Sequence, residues 1–131
     1  MNRILLDTTY LLCALVSPEL LSPQIADTLA DRTTSVLFSA VSIWEIAIKS
    51  GLGRVTFHHD PGDVLRGARQ TGFTELPVTS EIAAGVAVLA AHHKDPFDRL
   101  LVAQALALPA RLLTSDARLG RYSELVWVAP L

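Results

Sequence analysis

The sequence predicts an α/β fold, a short parallel central sheet with helices on both faces. Three observations point to it. Ile4-Leu5-Leu6, Val36-Leu37-Phe38 and Leu112-Leu113 are short continuous apolar runs, as expected of strands buried on both faces. Between them lie stretches of helical length, two of them opened by Ser22-Pro23 and Asp95-Pro96, a capping residue followed by proline at the first helical position. The composition is 50% hydrophobic and mostly aliphatic, and 131 residues suffice for a single domain spanning residues 1–131.

Each element follows in turn. Ile4 to Leu6 is a strand ending at Asp7, and a helix runs from Thr8 to Leu15, closed by Ser17-Pro18. Ser22-Pro23 opens a second helix to about Asp31, and Val36 to Phe38 is the second strand. Ser39 caps a helix through Lys49, ended by Gly51 and Gly53. Pro61 to Thr71 is helical, Glu75 to Val78 is a short strand, and Thr79 or Ser80 caps a helix to about Ala91. Asp95-Pro96 starts a helix to Leu108 that Pro109 ends. Leu112-Leu113 and Leu125 to Val128 are the last strands, flanking Asp116 and a short helical turn. Such alternation implies parallel strands with helical crossovers, and ligands then bind beyond the carboxyl ends of the strands.

Composition excludes several classes. Disorder needs high net charge and low hydrophobicity, whereas 11 basic and 13 acidic side chains nearly cancel to −2. With 6% aromatic residues a base-stacking platform is not expected. A charge of −2 gives no global attraction to phosphate polymers or anionic membranes. Cys13 is alone, which precludes an intrachain disulfide and fits a reducing cytoplasm. The apolar stretch from Ile4 to Val16 has the outline of a signal peptide, but Asp7 interrupts it. No run reaches the ~18 apolar residues needed to span a bilayer, so no membrane partner is expected.

Four carboxylates satisfy the strand-end rule: Asp7, Glu45 in the helix after the second strand, Asp98 after Pro96, and Asp116 past Leu113. Each also has an ordinary structural reading. Asp7 and Asp116 are suited to cap the following turns, and Asp98 with Asp95 to form a capping arrangement. Glu45 can pair with Lys49 one turn on, worth a few tenths of a kcal/mol. Helical spacing strengthens the functional reading, because Ser39, Ser42, Glu45 and Lys49 form one polar stripe on an otherwise apolar helix. Carboxylates converging in one crevice would repel by about 4 kcal/mol per pair at ~4 Å, with an effective dielectric of 20. Either their pKa values rise or a dication binds. Oxygen-only ligation suits Mg²⁺ or Mn²⁺, and carboxylate-bound Mg²⁺ activates water against phosphodiesters.

The blocks LLDTTYLL at 5–12, SAVSIWEIAIKSGLGRV at 39–55, LPV at 76–78, HHKDPFDRLLVAQA at 92–105 and LLTSD at 112–116 together resemble a PIN-domain protein of the VapC toxin type. The resemblance implies a three-layer α/β/α PIN fold. It also implies a magnesium-dependent ribonuclease that is the toxin of a toxin–antitoxin pair, inhibited by an antitoxin protein and usually a homodimer. By position it assigns Asp7, Glu45, Asp98 and Asp116 as the catalytic, metal-holding acids. Asp95 is left as a cap or supporting residue, Ser39 supports from the helix start, and Thr114 helps to hold the fourth acid or a metal water. Thr9 and Ser80-Glu81 depart from the family's frequent residues, which bears on substrate preference.

Of the remaining residues, His92-His93 and His58-His59 are expected to be surface or capping histidines. Arg99 and Lys94 flank the acids, suited equally to RNA phosphate or to a structural salt bridge. Trp44 and Trp127 are expected in core or interface. The Ala-rich helix up to Ala91 should pack on another helix, within the chain or across a dimer. Two competing readings are a receiver-like acidic-pocket domain and a catalytically silent interaction module. The first wants a lysine after the last strand, and none follows Lys94. Setting the four site acids aside leaves nine acids against eleven bases, a weakly basic body around one acidic pocket.

Overall fold

Five strands form one parallel sheet: β1 (Asn2–Leu6), β2 (Thr34–Ser39), β3 (Thr74–Leu76), β4 (Arg111–Thr114) and β5 (Val126–Val128). Their order across the sheet is β3-β2-β1-β4-β5, and Leu5 pairs with Leu37 on one side and Leu112 on the other. The computed structural model describes residues 2–52 and 59–131, so Gly53 and His58 of the sequence reading lie outside the described residues.

Side chains alternate across the strands and feed two cores. Ile4, Leu6, Val36, Phe38 and Leu113 face one side. They pack there with residues of α1 (Thr8–Val16), α2 (Pro23–Ala30), α3 (Ala40–Gly51) and α4 (Pro61–Thr71). Leu5, Leu37 and Leu112 face the other side, packing with α6 (Pro96–Ala107) and Leu119. This is the three-layer α/β/α arrangement the sequence implies. Leu5, Leu6, Leu112 and Leu113 are fully buried, each contributing about 1.5–3 kcal/mol of apolar burial.

The expected N-caps at Ser22, Ser39, Thr79 and Asp95 form, while α3 runs two residues past Lys49, taking Gly51 into the helix and ending on Leu52. Ser22 accepts from the Ile25 N–H, Ser39 from Val41, Thr79 from Ile82, and Asp95 from Phe97 and Asp98. The expected strand 75–78 is shorter and one residue earlier, at Thr74–Leu76. The expected helix to Ala91 is also shorter. α5 (Ser80–Gly85) gives way to a 3₁₀ turn at Val86–Val88. The Arg99 guanidinium donates to the carbonyls of Val86 (3.0 Å) and Ala90 (3.0 Å). α5 packs on α6 of the same chain. Trp44 is not core: it is 60% exposed and meets Phe97 edge-on. Trp127 is half-buried, with the Arg111 guanidinium over its ring. Among the described residues no helix is long and apolar enough to cross a membrane.

Candidate active site

β1 lies at the centre of the sheet, where the strand order reverses: the chain runs outward from β1 through β2 to β3, then crosses back over the sheet to β4 on the other side of β1, a topological switch point. Asp7 is the first residue past β1 there. Its N–H donates to the Leu113 carbonyl at 3.0 Å, extending the ladder between β1 and β4 by one residue. Its Oδ1 accepts from the Tyr10 N–H at 2.8 Å, so Asp7 does cap α1. Its Oδ2 accepts from the Thr114 hydroxyl at 2.7 Å. Burial pushes the Asp7 carboxyl up to about 6, and the nearby charges of Asp98 and Glu45 add to the rise. The Thr114 and Tyr10 hydrogen bonds oppose it.

Glu45 reaches the same crevice from α3 and is equally buried. Its Oε1 accepts from the Thr8 hydroxyl at 2.6 Å, and the hydroxyls of Thr8 and Ser42 are hydrogen-bonded at 2.9 Å. Its Oε2 pairs with Lys49, so the ordinary reading of Glu45 also holds. The polar stripe is real, with Ser39 and Ser42 buried and turned inward.

Asp98 stands in the first turn of α6. The cap is made by Asp95, which leaves the Asp98 carboxylate to the crevice. Burial pushes its carboxyl up to about 6, with repulsion from Asp95 and Glu45, while the His93 hydrogen bond pulls the other way. Asp116 caps the 3₁₀ turn Ala117–Arg121 and takes a two-pronged contact from Arg118, Nε to Oδ1 at 3.1 Å and Nη2 to Oδ2 at 2.9 Å. Arg118 holds its carboxyl below the usual carboxylate range. Thr114 connects the two strand-end acids: its Oγ1 donates to Asp7 and accepts from the Asp116 N–H at 3.1 Å.

The surroundings differ from expectation at several residues. His93 is no surface histidine: its side chain is 8% exposed, with Nε2 3.0 Å from Asp98 and 3.3 Å from Asp116. The only hint in the sequence is its place five residues before Asp98, in the loop entering α6. His92 is exposed as expected and meets Tyr122 edge-on. Arg99 makes no described salt bridge. It donates to backbone carbonyls and to the Tyr122 oxygen (3.1 Å), which holds the segment 86–93 in place. Lys94 is exposed.

The donor set fits a hard divalent cation. Two carboxyls are held near 6 by burial and mutual repulsion, and neither touches an Arg or Lys side chain in any described contact. A dication among these oxygens would relieve that cost. His93, Asp98 and Asp116 each bring a ligand atom within 4.8 Å of the others.

Fold and site together define a parallel α/β domain with an acidic crevice suited to a dication. The PIN-domain family model matches residues 4–125, and the chain belongs to this family, whose members are generally nucleases that typically use divalent metals. Among solved structures it is similar to VapBC2 from Rickettsia felis bound to a DNA fragment from their promoter. There the TM-score is 0.70 at 11% identity, over 98% of each chain. It is also similar to FitAcB from Neisseria gonorrhoeae, with TM-score 0.58 and 18% identity over 88% of this chain and 89% of that one. A structure of FitAB bound to an IR36 DNA fragment gives TM-score 0.54 and 19% identity, over 86% of this chain and 85% of that one. At these identities the likeness is one of fold. No curated protein matches the sequence.

Proposed function

We propose that this chain is a magnesium-dependent endoribonuclease, the toxin of a type II toxin–antitoxin pair, built as one PIN domain over residues 1–131. The observation that supports the reading is that Asp7, past β1, is raised to about 6 with the charges of Glu45 and Asp98 contributing, while Asp98, itself raised to about 6, shares His93 with Asp116 past β4. These four acids hold Mg²⁺, with Mn²⁺ able to replace it. Bound there, the ion would supply water activation and charge neutralisation at the scissile phosphate.

The chain's own residues prepare that site. Thr114 and the Tyr10 N–H orient Asp7 through both its oxygens, and Thr8 orients Glu45. Asp95 and Ser39 fix the starts of α6 and α3, and so the directions from which Asp98 and Glu45 enter. Because the acids must be ionised to hold a cation, burial makes the metal-free site proton-loving and the loaded site charge-balanced.

The named complexes VapBC2 and FitAB support a cognate antitoxin as the protein partner. A homodimer and a cytoplasmic location complete the reading. Light scattering at micromolar concentration tests the dimer, and a monomer counts against it. The decisive experiment incubates the pure protein with a tRNA pool and Mg²⁺, with and without chelator, beside Asp7→Asn and Asp98→Asn. Expected is chelator-sensitive cleavage that both variants lose while staying folded. Cleavage that persists in chelator overturns the metal mechanism, unchanged cleavage in both variants overturns the assignment of the acids, and a wild type that cuts nothing with Mg²⁺ present favours the silent interaction module.

A further inference from the structure

His93 belongs neither to the four acids nor to the caps, yet it touches two of those acids at once. Asp98 lies on α6 and Asp116 past β4, and the His93 Nε2 stands 3.0 Å from Oδ2 of one and 3.3 Å from Oδ2 of the other. We propose that His93 is a positioning residue whose Nε2–H is hydrogen-bonded to Asp98 and faces Asp116 at ion-pair distance, holding the outer half of the site together through that proton and not as a metal ligand. Its consequence for metal binding rests on the reading given under Proposed function.

The ring's other nitrogen assigns the tautomer. The Lys94 backbone N–H donates to Nδ1 of His93 at 3.1 Å. A ring nitrogen that accepts an N–H carries no proton of its own, so the neutral imidazole has its proton on Nε2, facing the acids. Metal-ligating histidines have the opposite polarity, with the far nitrogen donating to a carbonyl or carboxylate. The backbone of His93 is braced from the same two segments that carry the acids. Its N–H donates to the Tyr122 oxygen at 3.1 Å, and its carbonyl accepts from Arg99 at 3.4 Å. Tyr122 follows the turn that Asp116 caps, and Arg99 follows Asp98 directly. Arg99 and Tyr122 are themselves joined at 3.1 Å. The loop therefore acts as a strut between α6 and the end of β4.

Two measurements test this. Long-range ¹H–¹⁵N spectra of histidine-labelled protein, with His93 assigned by the resonances absent from His93→Gln, are expected to show the Nε2–H tautomer without metal and at saturating Mg²⁺. Calorimetric titration with Mn²⁺ is expected to show His93→Ala binding about tenfold or more weakly, the usual cost of losing a residue that orients a ligand. His93→Gln, whose side-chain amide also donates, is expected to recover most of that loss. An Nδ1–H tautomer, or loss of the Nε2 proton on adding Mg²⁺, overturns the proposal. So does a folded His93→Ala that binds Mn²⁺ as wild type does, or a folded His93→Gln with no recovery. Neither measurement reads cleavage. A protein that meets both expectations yet cuts no RNA refutes the nuclease reading and upholds this one, while a wild type that binds no Mn²⁺ refutes both.

Discussion

Asp7 and Asp116 stand at the ends of adjacent strands, share the Thr114 hydroxyl, and each cap the turn that follows, yet their carboxyls move in opposite directions. Asp7 is 5% exposed and is held by neutral donors, and burial drives it up to about 6. Asp116 has a side chain 25% exposed and is gripped by Arg118, which drives it down. Glu45, buried beside Asp7, is paired with Lys49, and Asp98, which shares His93 with Asp116, is pushed up by burial as Asp7 is. The difference teaches that a buried acid can be oriented by hydroxyls and backbone N–H groups without being neutralised. Its charge then stays available to a cation. The outer acid is neutralised in place by its own arginine.

The largest expected effect breaks the inner half. Asp7→Asn lowers cleavage by roughly 10²–10³-fold or more, and Asp116→Asn by less, read as initial rates on one RNA. The Tm of metal-free Asp7→Asn does not fall, because the variant removes a charge that burial penalises. Next comes pH. Asp7 and Asp98 have folded pKa values above the unfolded one, so the metal-free fold binds more protons than the unfolded chain between about 4 and about 6. Their contribution to stability therefore rises as pH falls through that window, by up to about 3 kcal/mol for a two-unit shift. Metal affinity runs the other way and weakens below about 6. Denaturant melts and Mn²⁺ titrations at pH 5 and 7 check both signs.

Thr114→Val attacks the link between the halves. It leaves a buried carboxylate oxygen and the Asp116 N–H without their shared partner, a loss of about 1–3 kcal/mol in chemical denaturation. It also raises the Asp7 carboxyl further, since Thr114 was lowering it. The smallest effect is at the rim. Arg118→Ala leaves Tm unchanged within error, while the Asp116 carboxyl moves back up toward the ordinary range in an NMR titration. If Tm falls sharply there, the contrast between the halves is wrong.

Much of this was legible in the sequence, for reasons that separate local from distant physics. Strand cores, proline-led caps and the four acids follow from patterns a few residues long, and they sit in the elements expected. The partners of those acids do not follow. Thr8 on Glu45 joins residues 37 apart, and nothing local at Thr8 announces it. His93 looked like surface because adjacent histidines point in different directions, and only the docking of the loop turned one of them inward. Arg99 shows the same limit. Its neighbours suit it to RNA phosphate or a salt bridge, whereas in the fold its guanidinium reaches the backbone carbonyls of Val86 and Ala90, a contact no local pattern announces.

The hydrogen bond from Thr114 to Asp7 spans 107 residues of chain. Time enters the description at this point. Synthesis delivers Asp7 first, then Glu45 and Asp98, and each can fold into its own helix without the crevice existing. β1 has only one neighbour until β4 docks beside it, and the β4 segment emerges after three of the four acids. A nascent chain halted after α6 carries three of the four acids but lacks the β4 contacts, Thr114 on Asp7 and Asp116 beside His93, that join the two halves of the crevice. Pairing of β4 with β1 is therefore the step that brings Thr114 and Asp116 alongside Asp7 and completes the crevice.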